Sequence, residues 1–167
     1  QHRRAEDRMW HDYIMALGMI GTLAALLLVG KLTLVPLSTL LRTLALCCVV
    51  LLLIPFRFTA YRWGMERFEW ILFNVLGLGP IVFSGALLLN FFWYQEPMCR
   101  THAILRSTQT ALFYSVELEG DAFAAFPGAR EFGASEGKLI RAKAVSLCTA
   151  RGILGADVVV RRDLLVP

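Results

Sequence analysis

The chain has 167 residues, 57% hydrophobic and only 18% charged, against the roughly 25% charged fraction of ordinary soluble domains. Charge is also uneven: residues 14–30 and 70–95 carry none, while the stretch from Gln95 onward is mixed and polar, so two solvents are implied. The net charge of +4 does not point to nucleic acid, because from Gln95 onward nine Lys/Arg meet eight Asp/Glu and form no basic stripe; the basic excess sits beside the apolar runs, where orientation in a bilayer retains it.

Residues 1–12 read as a cytoplasmic segment in which Arg3, Arg4 and Arg8 precede the first apolar run. A cleaved signal peptide would need a small-residue cleavage site after that run, and residues 30–36 offer none, so an uncleaved signal anchor is expected. The first span, about 13–31, opens with Trp10 and Tyr13 at headgroup level and closes on Lys31, which can snorkel. Its length suits the roughly 30 Å hydrocarbon core, which takes about 20 apolar residues to cross.

The second span is expected at 37–56. Its uncharged part, 43–56, is short and bounded by Arg42 and Arg57, but a start near Leu37 or Ser38 leaves Arg42 about one turn inside, within reach of the interface. Pro36 and Ser38 suit a helix start. Residues 31–36 then form a tight turn and the first two spans an antiparallel hairpin, with a re-entrant pair as the rival geometry. The third span, 70–94, carries Trp70 at one end and Trp93 and Tyr94 at the other, as aromatic belts require. Within it Gly77, Gly79 and Pro80 interrupt helix propensity, and the proline frees a backbone carbonyl that lipid cannot satisfy. A kink packed against protein follows.

The segment 95–167 reads as a small β-rich α+β extramembrane domain. Leu112, Tyr114, Val116 and Leu118 alternate with Phe113, Ser115, Glu117 and Glu119 before a turn at Gly120 and Asp121. Phe126, Pro127 and Gly128 mark another turn. Residues 139–149 fit strand or helix, and the strand is preferred because residues 152–155 followed by Val158, Val159 and Val160 read as a turn and a returning strand. The expected fold is therefore membrane α-helical, three transmembrane helices followed by this domain. Arg3, Arg4, Arg8, Arg57, Arg62 and Arg67 fall on one side, against Lys31, Arg42, Arg100 and Arg106 on the other, which makes the N-terminus cytoplasmic and the C-terminal domain periplasmic in a bacterial inner membrane.

Chemistry-bearing patterns are sparse. His2, His11 and His102 all lie outside the apolar runs, so buried haem or chlorophyll ligation is disfavoured and no cofactor is expected; solvated histidines are the plainer reading. Thr22, Asn74, Ser84 and Asn90 are the polar residues of the first and third spans, and none is ionisable, as a proton or ion pathway would require. Packing is the more economical role: Gly18-x-x-x-Thr22 and Gly21-x-x-x-Ala25 set small residues one turn apart. The expected helix-packing set is Gly18, Gly21, Ala25, Gly77, Gly79, Pro80 and Gly85.

Glu117, Glu119 and Asp121 place three carboxylates at strand spacing, suited to a hard cation, but a solvated strand face explains them as well and no metal is expected. Ser135 and Lys138 fit S-x-x-K without its companion motifs, and no zincin, nucleophile-elbow, phosphate-loop or dinucleotide pattern occurs. Cys47 and Cys48 read as small apolar residues. Cys99 and Cys148 are the two cysteines of the outer domain, and an oxidising compartment favours their pairing. The expected function is a non-catalytic accessory or scaffold subunit of a larger membrane protein complex, its partners being membrane lipid and other integral membrane subunits. A stand-alone membrane-anchored sensor or envelope-binding module is the alternative, and a membrane enzyme the third class.

Overall fold

The computed structural model describes residues 2–57, 65–109, 113–121, 123–133 and 142–165. The chain is α+β: helices plus a curled antiparallel sheet. It divides into two units, one of Gln1–Leu27 and Leu37–Leu88, the other of Leu28–Pro36 and Leu89–Pro167.

Among the described residues the long helices are α1 (His2–Leu28), α2 (Leu37–Leu52) and α3 (Arg67–Phe92), which fall in the first unit except for residue 28 and residues 89–92. α3 starts at a capping box, in which the Glu66 backbone amide donates to the Glu69 carboxylate (3.1 Å) and the Glu66 carboxylate accepts in return. It then widens into a π-helical turn at Phe73–Leu78 and resumes as α-helix over Gly79–Phe92. This is where the sequence places a kink. The stretch Trp10–Leu32 and α3 are long and apolar enough to cross a membrane. The 16 residues of α2 span about 24 Å, short of a roughly 30 Å core. α2 ends at Leu52 rather than near 56 because Leu53 and Ile54 donate three residues back, to Val50 and Leu51 (3.1 and 3.2 Å), and Pro55 has no amide to continue the ladder.

The helices bury one side each. On α1 the buried positions Gly18, Thr22 and Ala25 recur at helical spacing, while Leu17, Ile20, Leu23 and Leu27 stay exposed. One end of the unit is closed by Met65, Trp70 and Phe73, with Ile14, Met15, Leu52, Phe56 and Leu78 against them. The aromatic-rich stretch 56–70 falls partly outside the described residues.

The second unit is a five-stranded antiparallel sheet in the order β3-β2-β1-β4-β5. Its strands are β1 (Met98–Gln109), β2 (Tyr114–Leu118), β3 (Glu131–Phe132), β4 (Ala144–Arg151) and β5 (Asp157–Leu165). β1 divides its length between two partners: 98–103 pair with β4, and 104–109 pair with β2 across an irregularity at Ile104 to Arg106. A central strand shared in this way makes the sheet curl. Val116, Leu118, Ala129, Phe132, Val145, Leu147 and Val159 form the core within the curl. A single helical turn, α4 (Pro127–Arg130), starts on proline at its first position and leads into β3. The β4–β5 turn relies on Gly155, whose φ of 86° suits a residue without Cβ.

Residues 28–36 are more than the tight turn expected from sequence. Gly30–Leu32 is a 3-10 turn, after which Thr33 bridges Val158 and the Leu34 amide donates to the Asp157 carbonyl at 2.7 Å. Leu34 packs on the sheet core. The connector therefore extends the edge of β5, because a short run of apolar and β-branched residues ahead of Pro36 pairs better with a free strand edge than it turns alone.

Candidate functional site

In the first unit three of the sequence-derived packing residues, Gly18, Gly77 and Gly79, make close approaches at the π-helical turn. A Cβ at Gly18 would lie 2.5 Å from the Gly77 carbonyl oxygen and 2.6 Å from that of Leu76, so α1 and α3 meet backbone to backbone. Gly79 does the same against α2: a Cβ there would lie 2.5 Å from Cys48 Sγ. Gly21 and Gly85 behave differently, with nothing within 4 Å of a Cβ at either.

Polar groups in this seam are paired within it. Pro80 cannot donate to the turn before it, and the Val75 carbonyl accepts instead from the Cys48 thiol at 3.6 Å. The Pro80 carbonyl accepts from Ser84 Oγ (2.7 Å) and Thr22 Oγ1 (2.9 Å), and the two hydroxyls lie 2.8 Å apart. Asn74 donates its side-chain amide to the Trp70 carbonyl at 2.8 Å, where the helix changes pitch. Thr22, Asn74 and Ser84 are all buried, and among the described residues no ionisable side chain is fully buried with them. These contacts hold the helices together through small residues, hydroxyls and an amide.

Asn90, in the last residues of α3, belongs to the second unit. It is buried, donates to the Ala156 carbonyl (3.1 Å) and accepts from the Leu154 amide (3.0 Å), so one amide grips both sides of the β4–β5 turn. Gly152 lies so close to Asn90 that no Cβ would fit. The Ile153 amide donates to the Trp93 carbonyl (2.9 Å), and Tyr94 bridges Gly152.

Cys99 and Cys148 stand opposite each other in the β1–β4 register and are joined by a disulfide. Arg162 on β5 donates to the carbonyls of Gly128 (3.2 Å) and Glu131 (2.6 Å) and lies over the Phe132 ring. Burial pulls its pKa below the usual arginine value, and the nearby Glu131 carboxylate opposes that shift. Lys31 of the connector pairs with Glu131 at 3.8 Å and sits over Phe113.

A cleft lined by described residues lies in each unit. In the second, Met98, Arg100, His102, Phe123, Leu147 and Thr149 line about 310 Å³, with the His102 ring edge-on to Phe123. In the first, His11, Asp12, Met15, Met65, Phe68, Glu69 and Leu72 line about 360 Å³. Neither brings together three metal-ligating side chains, among the described residues. Glu117 and Glu119 are exposed, while the Asp121 side chain and the Ser135 to Lys138 pattern lie outside the described residues.

Sequence reasoning named the seam glycines but missed how Cys48, Asn90 and Arg162 act. A signal existed for Asn90, an amide in the last turn of an apolar helix. For Arg162 it was a basic residue within a strand otherwise rich in valine. No family model matches the chain, and neither a curated protein nor a solved structure matches it.

Proposed function

We propose that this chain is a non-catalytic accessory or scaffold subunit of a larger complex in a membrane, held by three spans. The observation that carries the reading is the closed seam: Gly18 on Gly77, Gly79 on Cys48, and a Thr22–Pro80–Ser84 triangle, with no Asp, Glu, His, Lys or Arg fully buried there among the described residues. Such an interior holds a shape and offers no conduit. The exposed rows of Leu and Ile on α1, α2 and α3 favour hydrocarbon outside.

Membership of the connector in the sheet unit supports a crossing by α2 as well. Residues 28–36 and 89–167 share one unit and so one side of the bilayer. If α3 crosses toward that side, the chain between 37 and 66 has to return to the other, and α2 is the helix available. The arginines flanking the spans put the N-terminus in the cytoplasm. The Cys99–Cys148 bond suits a periplasmic, oxidising space for the sheet.

A partner-facing role is favoured by Gly21 and Gly85, small positions that open outward instead of serving the seam. Extraction in mild detergent, affinity capture and mass spectrometry test it: a stable set of co-purifying membrane proteins is expected, and a lone monomer or homodimer overturns it. The second reading, a membrane-anchored sensor, draws on the Arg100–His102–Phe123 cleft, whose cation, imidazole and ring suit a small anionic or aromatic ligand.

A further inference from the structure

Four large apolar side chains of the second unit are exposed at the end of α3 and on the β4–β5 turn: Phe92 (71%), Trp93 (66%), Ile153 (57%) and Leu154 (60%). Ile153 and Leu154 form the tip of the β4–β5 hairpin. A hairpin tip in water is ordinarily polar, and this one reads Arg151-Gly-Ile-Leu-Gly. The tip is also fixed. Asn90 holds the Leu154 amide and the Ala156 carbonyl, and Trp93 accepts from the Ile153 amide. Asn90 lies two residues before the end of α3, about 3 Å along the helix axis at 1.5 Å per residue. The tip therefore stands level with the last turn of an apolar helix rather than above it.

We propose that the β4–β5 tip is a membrane-dipping element, with Ile153 and Leu154 seated beside Trp93 at the boundary between lipid headgroups and acyl chains. This rests on the reading of α3 as a membrane span. The depth of the tip follows from the depth of the helix, because the Asn90 and Trp93 hydrogen bonds bind the two. Tryptophan prefers that boundary, and Ile153 and Leu154 bring apolar side chains to the same level. Arg151 is exposed at the base of the turn, with its guanidinium 3.8 Å from where a Gly155 Cβ would stand, placed for lipid phosphate oxygens. Asn90, a buried amide near the end of an apolar helix, thus sets how deep the sheet unit rides.

Spin labels on the full chain in phospholipid nanodiscs test this. The background carries Cys47→Ala and Cys48→Ala, labelling omits reductant, and single nitroxides are placed by Leu154→Cys, Arg161→Cys or Leu23→Cys. Collision with oxygen relative to a water-soluble nickel chelate should be several-fold higher at 154 than at 161, and highest at 23. Adding Asn90→Ala should lower the ratio at 154 and raise the mobility of the label. A ratio at 154 equal to that at 161, with 23 in lipid, overturns the proposal and leaves the membrane reading standing. An aqueous ratio at 23 overturns both. Exclusion of both quenchers from 154 also overturns it, and would mean that protein covers the tip.

Discussion

Single glycines in this chain have opposite consequences one turn apart. Gly18→Ala forces a methyl against two carbonyl oxygens of α3, so we expect about 1–3 kcal/mol of destabilisation. Gly21→Ala meets open space and should be neutral or stabilise by up to about 1 kcal/mol, from helix propensity alone. Denaturant unfolding of the detergent-solubilised protein reads both, and equal effects at the two sites would remove the close approach of α1 to α3. Arg162→Met keeps an apolar stem near Phe132 but strands the Gly128 and Glu131 carbonyls. That should cost about 1–3 kcal/mol and speed amide exchange in β3 ahead of β1. The small residues were legible because helix periodicity puts Gly18, Thr22 and Ala25 on one face. It could not distinguish Gly18 from Gly21, since the choice depends on where α3 widens.

Among the elements, the Cys99–Cys148 bond joins β1 to β4 across 49 residues of chain. In the chain-entropy account, closing such a loop stabilises the folded state by about 4 kcal/mol, a large fraction of what a domain of this size commands. Alkylation under denaturing, non-reducing conditions should modify two thiols, Cys47 and Cys48, and four after reduction. Four at the outset would remove the bond. β2 and the β4–β5 turn were readable from alternation and glycine. β1 was not recognised as a strand, although it is the middle strand of the sheet. Its residues are largely exposed, with only His102 and Ile104 half-buried, so hydrophobic alternation, the signal that reveals a strand, is missing from it. The connector was read as a turn for a related reason: its partner is a strand edge far along the chain, and spacing cannot reveal a distant partner.

At the scale of the whole molecule, the outward glycines separate a subunit from a stand-alone module. Gly21→Leu and Gly85→Leu should leave thermal unfolding of the isolated chain nearly unchanged, because a Cβ at either position meets nothing within 4 Å. On the proposed subunit reading they should deplete co-purifying membrane proteins, and unchanged recovery would count against those faces as the interface. Protease added to intact spheroplasts should trim the sheet unit, and cleavage seen only in inverted vesicles would reverse the orientation. The pairing of the connector with β5 also sets an order of events during synthesis. The Leu34 amide finds its partner in Asp157, about 120 residues later, so at roughly 5–20 residues per second it waits some 6–25 s after leaving the ribosome. During that interval the connector has no strand to pair with, and β5 fastens it only once made.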